Sequence, residues 1–407
     1  MPGDMLILQR GYAGELLNAF TTRGRRTPEP GGLRSATYLK YLRTPGSFSL
    51  QFNAHDRRIL SLRPYHLIEF WLRDGYNDLA YQQFLAGLPA YATNARMPGW
   101  YRDFTGFVLT EPRLEQEADG SYSSWIYGRG LNDWLYSEYI DYPPGQPQTR
   151  KNAPAETVAK ELVNENIGPG AGVDAGGYTR VRAGLTIEPD GGAGATWKAD
   201  RSRKLLGDVL QEVGDAGPGD YMIVQIGDAA FEFQWRSPHW GLDRRVDNGA
   251  RRPMLFAARL GNVATVRSEY SYLDALSAVT VYGQGASTDL LPGTAYDTTL
   301  TASTSWARRA ALRFSRSSDD ADDINNYAQA VLRESQPRVN VDVETIEIVS
   351  SRYNVHWQVG DLVTVEDTLY GRQIDRKVLG VTVALHADSG TGAALKITPH
   401  LGDFIDA

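Results

Sequence analysis

The feature that most constrains this chain is a two-residue apolar rhythm near both of its ends. Phe48, Leu50 and Phe52 alternate with Ser47, Ser49 and Gln51, the period of a strand with one buried face. His66 to Arg73 carries the denser run Leu67-Ile68-Glu69-Phe70-Trp71-Leu72, ended by the turn dipeptide Asp74-Gly75. Thr105 to Leu114 and Ser121 to Tyr127 flank Ala118-Asp119-Gly120, a hairpin signal. Near the other end Val339, Val341 and Val343 alternate, and Val378 to Leu385 and Ala394 to Ile397 complete the set. Meanders of this kind close into barrels or sandwiches, because an open sheet leaves its edges unpaired.

Between the β-patterned ends the texture changes. Asp141 to Pro147 breaks the strand pattern and marks a boundary. Asn152 is placed to cap a helix with Pro154 in its first turn and Val158, Leu162 and Val163 on its apolar face. Arg201 to Val213 predicts a second helix, with Leu205, Leu206, Val209, Leu210 and Val213 on one side. Strands resume at Tyr221 to Ile226 and Ala230 to Trp235. Leu242 to Leu255 reads as a hairpin about Asp247-Asn248-Gly249, and Ala278 to Tyr282 as a strand. A third helix runs from Ser318 to about Glu334, with Ile324, Tyr327, Ala328, Val331 and Leu332 facing inward. The expected organisation is a β-barrel domain over 1–145 and an α+β domain over 150–236. A hairpin, strand and helix segment over 237–337 partly joins a second barrel, which ends over 338–407. The fold class is mainly β with α+β insertions.

Composition narrows the function. At 407 residues the chain has room for two to four domains, and 42% hydrophobic residues allow a real core. A net charge of -7 argues against general nucleic-acid binding, which needs a cationic face to displace counterions. There is no cysteine, which removes disulfides, thiolate metal sites and cysteine nucleophiles. Met5 to Leu8 is too short an apolar run for a signal-peptide core or a membrane span. The 22 Tyr and 9 Trp suit both strands and protein interfaces.

The search for chemistry is mostly negative. His55, His66, His239, His356, His386 and His400 show no metal-ligand spacing. Gly170 to Ala175 only superficially resembles a dinucleotide fingerprint. It follows a helix rather than a strand, and reads as a loop. Ser318-Asp319-Asp320-Ala321-Asp322-Asp323 lacks the turn glycine and terminal glutamate of a calcium loop. It reads as a helix start, with Ser318 as cap. Glu111, Glu115, Glu117 and Asp133 lie in aromatic surroundings where a glycosidase pair is conceivable, although a solvent-facing hairpin explains Glu115 and Glu117 more simply. Arg23, Arg25 and Arg26, with Arg244, Arg245, Arg251 and Arg252, are candidates to grip an acidic protein partner, with Asp243 and Asp247 partly balancing the second group. No catalytic residue, cofactor or metal is expected.

Three stretches carry a resemblance. The first β block ends in Trp125-Ile126-Tyr127-Gly128-Arg129-Gly130-Leu131-Asn132-Asp133-Trp134-Leu135. A spaced pattern follows at Trp197, Leu205, Leu206 and Leu210. The chain closes with Tyr353-Asn354-Val355-His356-Trp357-Gln358-Val359-Gly360-Asp361-Leu362-Val363-Thr364-Val365. This order resembles the hub proteins of siphophage tails, including the hub portion of tail-associated lysins, and the baseplate hubs of contractile tails. Gly130 stands where that pattern usually has an acidic residue. The resemblance implies two similar antiparallel β-barrels plus two smaller domains, assembled as a homotrimer whose six barrels match a six-fold tail tube. It implies as partners the distal tail ring and tail tube proteins, with tape-measure and tip or fibre proteins beyond them. It also implies a place at the virion tail tip after synthesis in the host bacterial cytoplasm. The chain stops at Ala407 soon after the second barrel, so the C-terminal enzymatic region of family lysins is expected to be absent. The competing expectations are a carbohydrate-binding receptor or cell-wall-binding protein and, behind it, a glycoside hydrolase.

Overall fold

The computed structural model describes residues 5–21, 32–53, 56–73, 96–97, 100–117, 120, 122–142, 151–199, 201–249, 252–284, 290–302, 305–314, 321–368, 371–388 and 392–403. Among the described residues strand outweighs helix, 47% to 16%, so the mainly β reading holds. The chain forms two compact units. One joins Met1–Thr265 with Val343–Ala407, and the other is Val266–Asp342.

The first unit is built on one large sheet. Its N-terminal strands are β1 (Met5–Arg10), β2 (Leu16–Thr21), β3 (Leu33–Tyr41), β4 (Ser47–Asn53), β5 (Leu67–Arg73), β6 (Arg96–Met97), β7 (Trp100–Val108), β8 (Arg113–Gln116) and β9 (Tyr122–Gly130). The alternation in β4 is realised: Phe48, Leu50 and Phe52 are buried while Ser47 is exposed and Ser49 and Gln51 are half-buried. β8 and β9 form a hairpin about the expected turn, with Gly120 at φ 84, but its first arm is Arg113–Gln116, and Thr105 to Val108 of the expected arm belong to β7. Tyr38, Phe70 and Phe104 pack as a ring cluster beneath the sheet, with centroids 4.9 to 5.7 Å apart. The Asp74-Gly75 turn lies outside the described residues.

The helical middle begins with the short α1 (Asp133–Tyr136). β10 (Lys151–Pro154) pairs with β12 (Thr196–Ala199) as a ribbon. Asn152 therefore sits in a strand opposite Lys198 rather than capping a helix. Pro154 ends the ribbon at φ -51 and opens α2 (Ala155–Asn166), where a missing N–H costs nothing. Val158, Leu162 and Val163 are buried as expected. The second helix, α3 (Leu206–Ala216), starts later than the pattern from Arg201 predicts. The reason is local pairing. Leu205 bridges to Tyr139, Ile140 N–H donates to the Lys204 carbonyl and Arg203 N–H to the Ile140 carbonyl, and Arg203 itself is left-handed at φ 58. β11 (Leu185–Ile187), β13 (Asp220–Gln225) and β14 (Phe231–Arg236) make a three-stranded sheet with β14 in the centre. α2 and α3 bury Val158, Leu162, Val209, Leu210 and Val213 in one core with Tyr221, Phe233 and Trp235 of that sheet.

The predicted hairpin at Leu242 to Leu255 is not a ladder of its own arms. Its turn is present, a 3-10 turn over Val246–Asn248 followed by Gly249 at φ 64, and Met254 N–H donates to the Arg244 carbonyl. Asp243 bridges to Leu362, however, and β15 (Leu255–Phe256) pairs in parallel with Thr364 and Val365. The arms are recruited by the C-terminal strand because that strand supplies the free edge.

In the second unit, β16 (Val263–Ser271) and β20 (Arg338–Thr345) form a ribbon at the two ends of its chain segment. β17 (Ala278–Tyr282) lies between β18 (Pro292–Tyr296) and β19 (Ala310–Phe314). The short α4 (Thr298–Thr301) follows β18, and α5 (Ala321–Glu334) packs on one face of this sheet. Ile324, Ala328, Val331 and Leu332 are buried against Val279, Val281 and Ala295. Tyr327, expected inside, is 43% exposed. Ser318 to Asp320 lie outside the described residues, as does any cap there. A Cβ on Gly293 would sit 2.8 Å from the Ile324 backbone carbon, so only glycine lets the helix approach β18 this closely.

The last strands return to the large sheet. β21 (Leu362–Glu366), β22 (Gln373–Asp388) and β23 (Gly392–Gly402) extend it to an order β15-β21-β22-β3-β4-β9-β7-β5-β1-β2, with β23, β6 and β8 branching off β22, β7 and β9. The β blocks from the two ends of the chain thus share a single sheet, joined where Gly380 to His386 pair with Ser35 to Tyr41.

Candidate functional site

Two of the three stretches that carry the resemblance converge on one place in the first unit. A cavity of about 390 Å³ is lined by Gly130, Leu131 and Asn132 from the first motif and by Asn354, Trp357 and Gln358 from the last. β7 and the edge strand β13 form further walls.

The end of β9 turns sharply here. A Cβ on Gly130 would lie 2.2 Å from the Pro45 carbonyl oxygen, so the chain has no room for the acidic side chain that the hub pattern puts at this position. Asn132 then ties two elements together. Its Nδ2 donates to the Thr44 carbonyl at 3.1 Å, and its Oδ1 accepts from the Ile223 N–H of β13 at 2.8 Å.

Asp103 on β7 is the main buried node. Its carboxylate accepts from the Tyr38 hydroxyl at 2.5 Å, the Lys40 Nζ at 2.9 Å, the Tyr353 hydroxyl at 3.0 Å and the Asn354 Nδ2 at 2.9 Å. Burial, reinforced by the Asp103 charge, pushes both Tyr38 and Tyr353 well above the usual phenol range. Both remain protonated donors, which is what a four-donor carboxylate needs. Trp357 packs edge-on to Phe256 and beside Tyr353, so the segment after Tyr353 is pinned by apolar contact as well.

Three further carboxylates act alike. Glu69, fully buried, accepts from Arg10 Nε at 2.7 Å, Trp71 Nε1 at 2.9 Å and Gln225 Nε2 at 2.6 Å. Asp220 takes Lys377 Nζ at 2.6 Å and the Trp240 N–H at 2.7 Å. Arg43 reaches Asp220 at 3.3 Å and also Asp215 at 2.5 Å and the Gly219 carbonyl at 2.8 Å. Asp361 holds Arg244 Nε at 2.8 Å and the N–H groups of Leu242 and Gln358 at 2.7 and 3.0 Å. Burial pushes the Asp361 carboxyl up against the opposing pull of Arg244. A buried carboxylate with this many donors is a fastener: its lone pairs are spent on protein groups.

The residues singled out from sequence fall elsewhere. Arg244 is internal, paired with Asp361, and does not present itself to a partner. Arg245 is held by Asp243 at 2.8 Å, and Arg252 is exposed. Arg23, Arg25, Arg26 and Arg251 lie outside the described residues. Glu115 pairs with Arg113 at 3.2 Å, Glu117 accepts from Gln51 and Ser123, Asp133 pairs with Arg129 at 3.0 Å, and Glu111 is exposed. Glu115, Glu117 and Asp133 thus each engage a partner of their own. Gln9 Nε2 donates to His66 Nδ1 across 2.9 Å, His356 accepts from the Arg352 N–H and His400 meets Thr382. His239 lies in surroundings where burial lowers its pKa. His55 and the side chain of His386 lie outside the described residues. Among the described residues no group of three or more His, Asp or Glu could hold a metal ion. The Gly170 to Ala175 stretch is a loop, with Gly170 N–H donating to Asn164. Sequence reasoning missed Asp103, Asp220 and Arg43. Glu69 did leave a signal, as the one charge inside the apolar run Leu67 to Leu72.

The pattern that defines the Siphovirus ReqiPepy6 Gp37-like protein family matches residues 95–399, well over half of the chain. The chain belongs to that family. The resemblance to siphophage tail proteins is thereby met. Both converging motifs lie inside the span matched to the Gp37-like family. No curated protein matches the chain in sequence. Its fold is similar to that of the 43 kDa tail protein of prophage MuSo2 from Shewanella oneidensis, at 12% identity and TM-score 0.55, over 98% of this chain and 97% of that one. It is also similar to a tail protein from Neisseria meningitidis MC58, at 16% identity and TM-score 0.51, over 97% and 96%. Prophage tail protein gp18 from Listeria monocytogenes EGD-e has TM-score 0.50 and 11% identity, over 99% and 95%.

Proposed function

We propose that this Gp37-like protein is a structural component of a phage tail, forming the trimeric hub ring at its distal end. In this reading the ring adapts the six-fold tail tube to a three-fold tip and surrounds the DNA exit channel. In this reading each chain contributes two similar barrels, so three chains present six positions to the tube. Distal tail ring and tail tube proteins are the neighbours on one side, with the tape-measure protein and tip or fibre proteins also in reach. The protein is made in the host cytoplasm and resides in the virion.

The observation that carries the tail assignment is the end-to-end fold match with the MuSo2 tail protein, which leaves almost none of either chain unmatched. The chemistry of the site agrees. Its buried carboxylates are spent on fastening β7, β13, Tyr353 and the C-terminal strands into the fold, which suits a part that transmits load. A net charge of -7 suits a wall past which DNA slides without sticking. Electron microscopy of the assembled particle tests the reading. A ring of three copies, or a multiple of three, around a channel is expected. A solid monomer, or a copy number that is not a multiple of three, refutes the hub.

A further inference from the structure

Among the described residues, only one face of the three-stranded sheet in the second unit is covered. α5 packs on the face that carries Val279, Val281 and Ala295. The register across the sheet places the alternate residues in rows on the opposite face. Tyr296 lies beside Ala278 and Ala310, Thr294 beside Thr280 and Leu312, and Pro292 beside Tyr282 and Phe314. Tyr296 is 61% exposed, Leu312 52% and Phe314 56%. Phe314 stacks on Tyr282 at 6.0 Å, so the apolar strip is continuous across the strands. Trp306, four residues before β19, is 93% exposed. In a strand pattern these are the positions that water would normally claim with charged or small polar residues.

We propose that this face is the surface through which one copy of the chain packs against the next. The inference rests on the ring reading for the number of copies, and adds the surface that joins them. Area is the first argument. A buried aromatic side chain covers roughly 150–250 Å², so Tyr296, Trp306, Leu312 and Phe314 at their exposures leave on the order of 500 Å² of apolar surface. A specific interface buries about 800 Å² per partner, with a core about 65% apolar, or roughly 500 Å². The strip therefore supplies the apolar core of one standard half-interface. Every copy carries it, and a closed ring buries one such surface per copy by repetition of a single contact. Charge is the second argument. The three rows of the open face set out above contain no charged residue, whereas Arg313 shares a row with Val281 on the covered face. A second copy therefore docks there without stripping water from a charge, and in a ring of three the contact is head-to-tail, the strip of one copy meeting another surface of the next.

The test uses the full chain. Leu312 and Phe314 project from the open face, so the double variant Leu312→Ser with Phe314→Ser leaves the core beneath α5 in place, which an unchanged circular dichroism spectrum verifies. Trp306→Ser is a second, independent variant. Sedimentation velocity over a concentration series is expected to show self-association of the wild type, weakened roughly tenfold or more in each variant, the effect of truncating interface anchors. A wild type that stays monomeric at all concentrations, or variants that associate unchanged, overturns the proposal. In the assembled particle, Leu312→Cys gives the cysteine-free chain one attachment point for a maleimide photo-crosslinker. Cross-links to a second copy support the inference. Cross-links only to a different tail protein, or to none, overturn it. Its failure is distinguishable from that of the ring reading. Self-cross-links with a copy number that is not a multiple of three sink the ring alone, and a three-fold ring without them sinks the interface alone.

Discussion

The Tyr353 hydroxyl donates to the Asp103 carboxylate at 3.0 Å, a hydrogen bond between residues 250 positions apart. Tyr38, Lys40 and Asn354 share the same carboxylate. Removing it strands two buried hydroxyls and a half-buried ammonium. Asp103→Ala is therefore expected to destabilise the first unit by about 3–5 kcal/mol, the cost of leaving buried partners unpaired. Tyr353→Phe removes one donor from a saturated acceptor and is expected to cost about 1 kcal/mol. Urea denaturation measures both, and an Asp103→Ala cost no larger than that of Tyr353→Phe would contradict the node.

Glu156 predicts a pH dependence. Burial works to raise its carboxyl, but Lys160 and the N–H groups of Ala193 and Gly191 outweigh it, so the net shift is downward. Its folded-state value lies below the unfolded one. The stability it contributes is whole above about pH 4.3, the ordinary glutamate range, and is lost as pH falls through the folded value. Glu156→Gln is expected to flatten the acid limb of the stability profile. Thermal unfolding of both proteins between neutral and acid pH checks this, and identical acid limbs count against it.

Gly293 predicts a local failure. Its absent side chain leaves the space that the Ile324 backbone occupies. Gly293→Val is expected to cost about 1–3 kcal/mol through overpacking, or more if α5 lifts off. Hydrogen exchange is the suitable readout: α5 amides are expected to lose protection while α2 amides keep theirs. Uniform loss through both units would refute the local account.

Catalysis offers a prediction in the negative sense. Glu115, Glu117 and Asp133 have separate local partners, and Glu111 is exposed. The purified chain is expected to release no sugar from peptidoglycan or polysaccharide. Robust turnover abolished by Glu111→Gln or Asp133→Asn would overturn this.

Much of the local structure was legible. The alternation in β4, the run in β5, the hairpin of β8 and β9 and the apolar faces of α2 and α5 all follow from spacing alone. Where local reasoning failed, a distant segment had intervened. Asn152 is a good cap residue, but Lys198 offers it a strand partner. Arg203 to Leu205 fit a helix, but their hydrogen bonds and bridge go to Tyr139 and Ile140 instead. Arg244 belongs to an apparently exposed basic group, yet Asp361, far along the chain, draws it inside.

The sequence by itself determined which stretches are strands and helices and which faces are apolar, because those properties depend on neighbours two to four positions away. It also determined the family, through motifs that keep their order along the chain. Only the tertiary structure decided that the two terminal β blocks share one sheet, that Asp103, Glu69, Asp220 and Asp361 are buried fasteners, and that Tyr296, Leu312 and Phe314 face solvent. Strand order and burial depend on which distant chains meet, and the worth of a charge depends on the water and the partners around it, none of which spacing along a chain records.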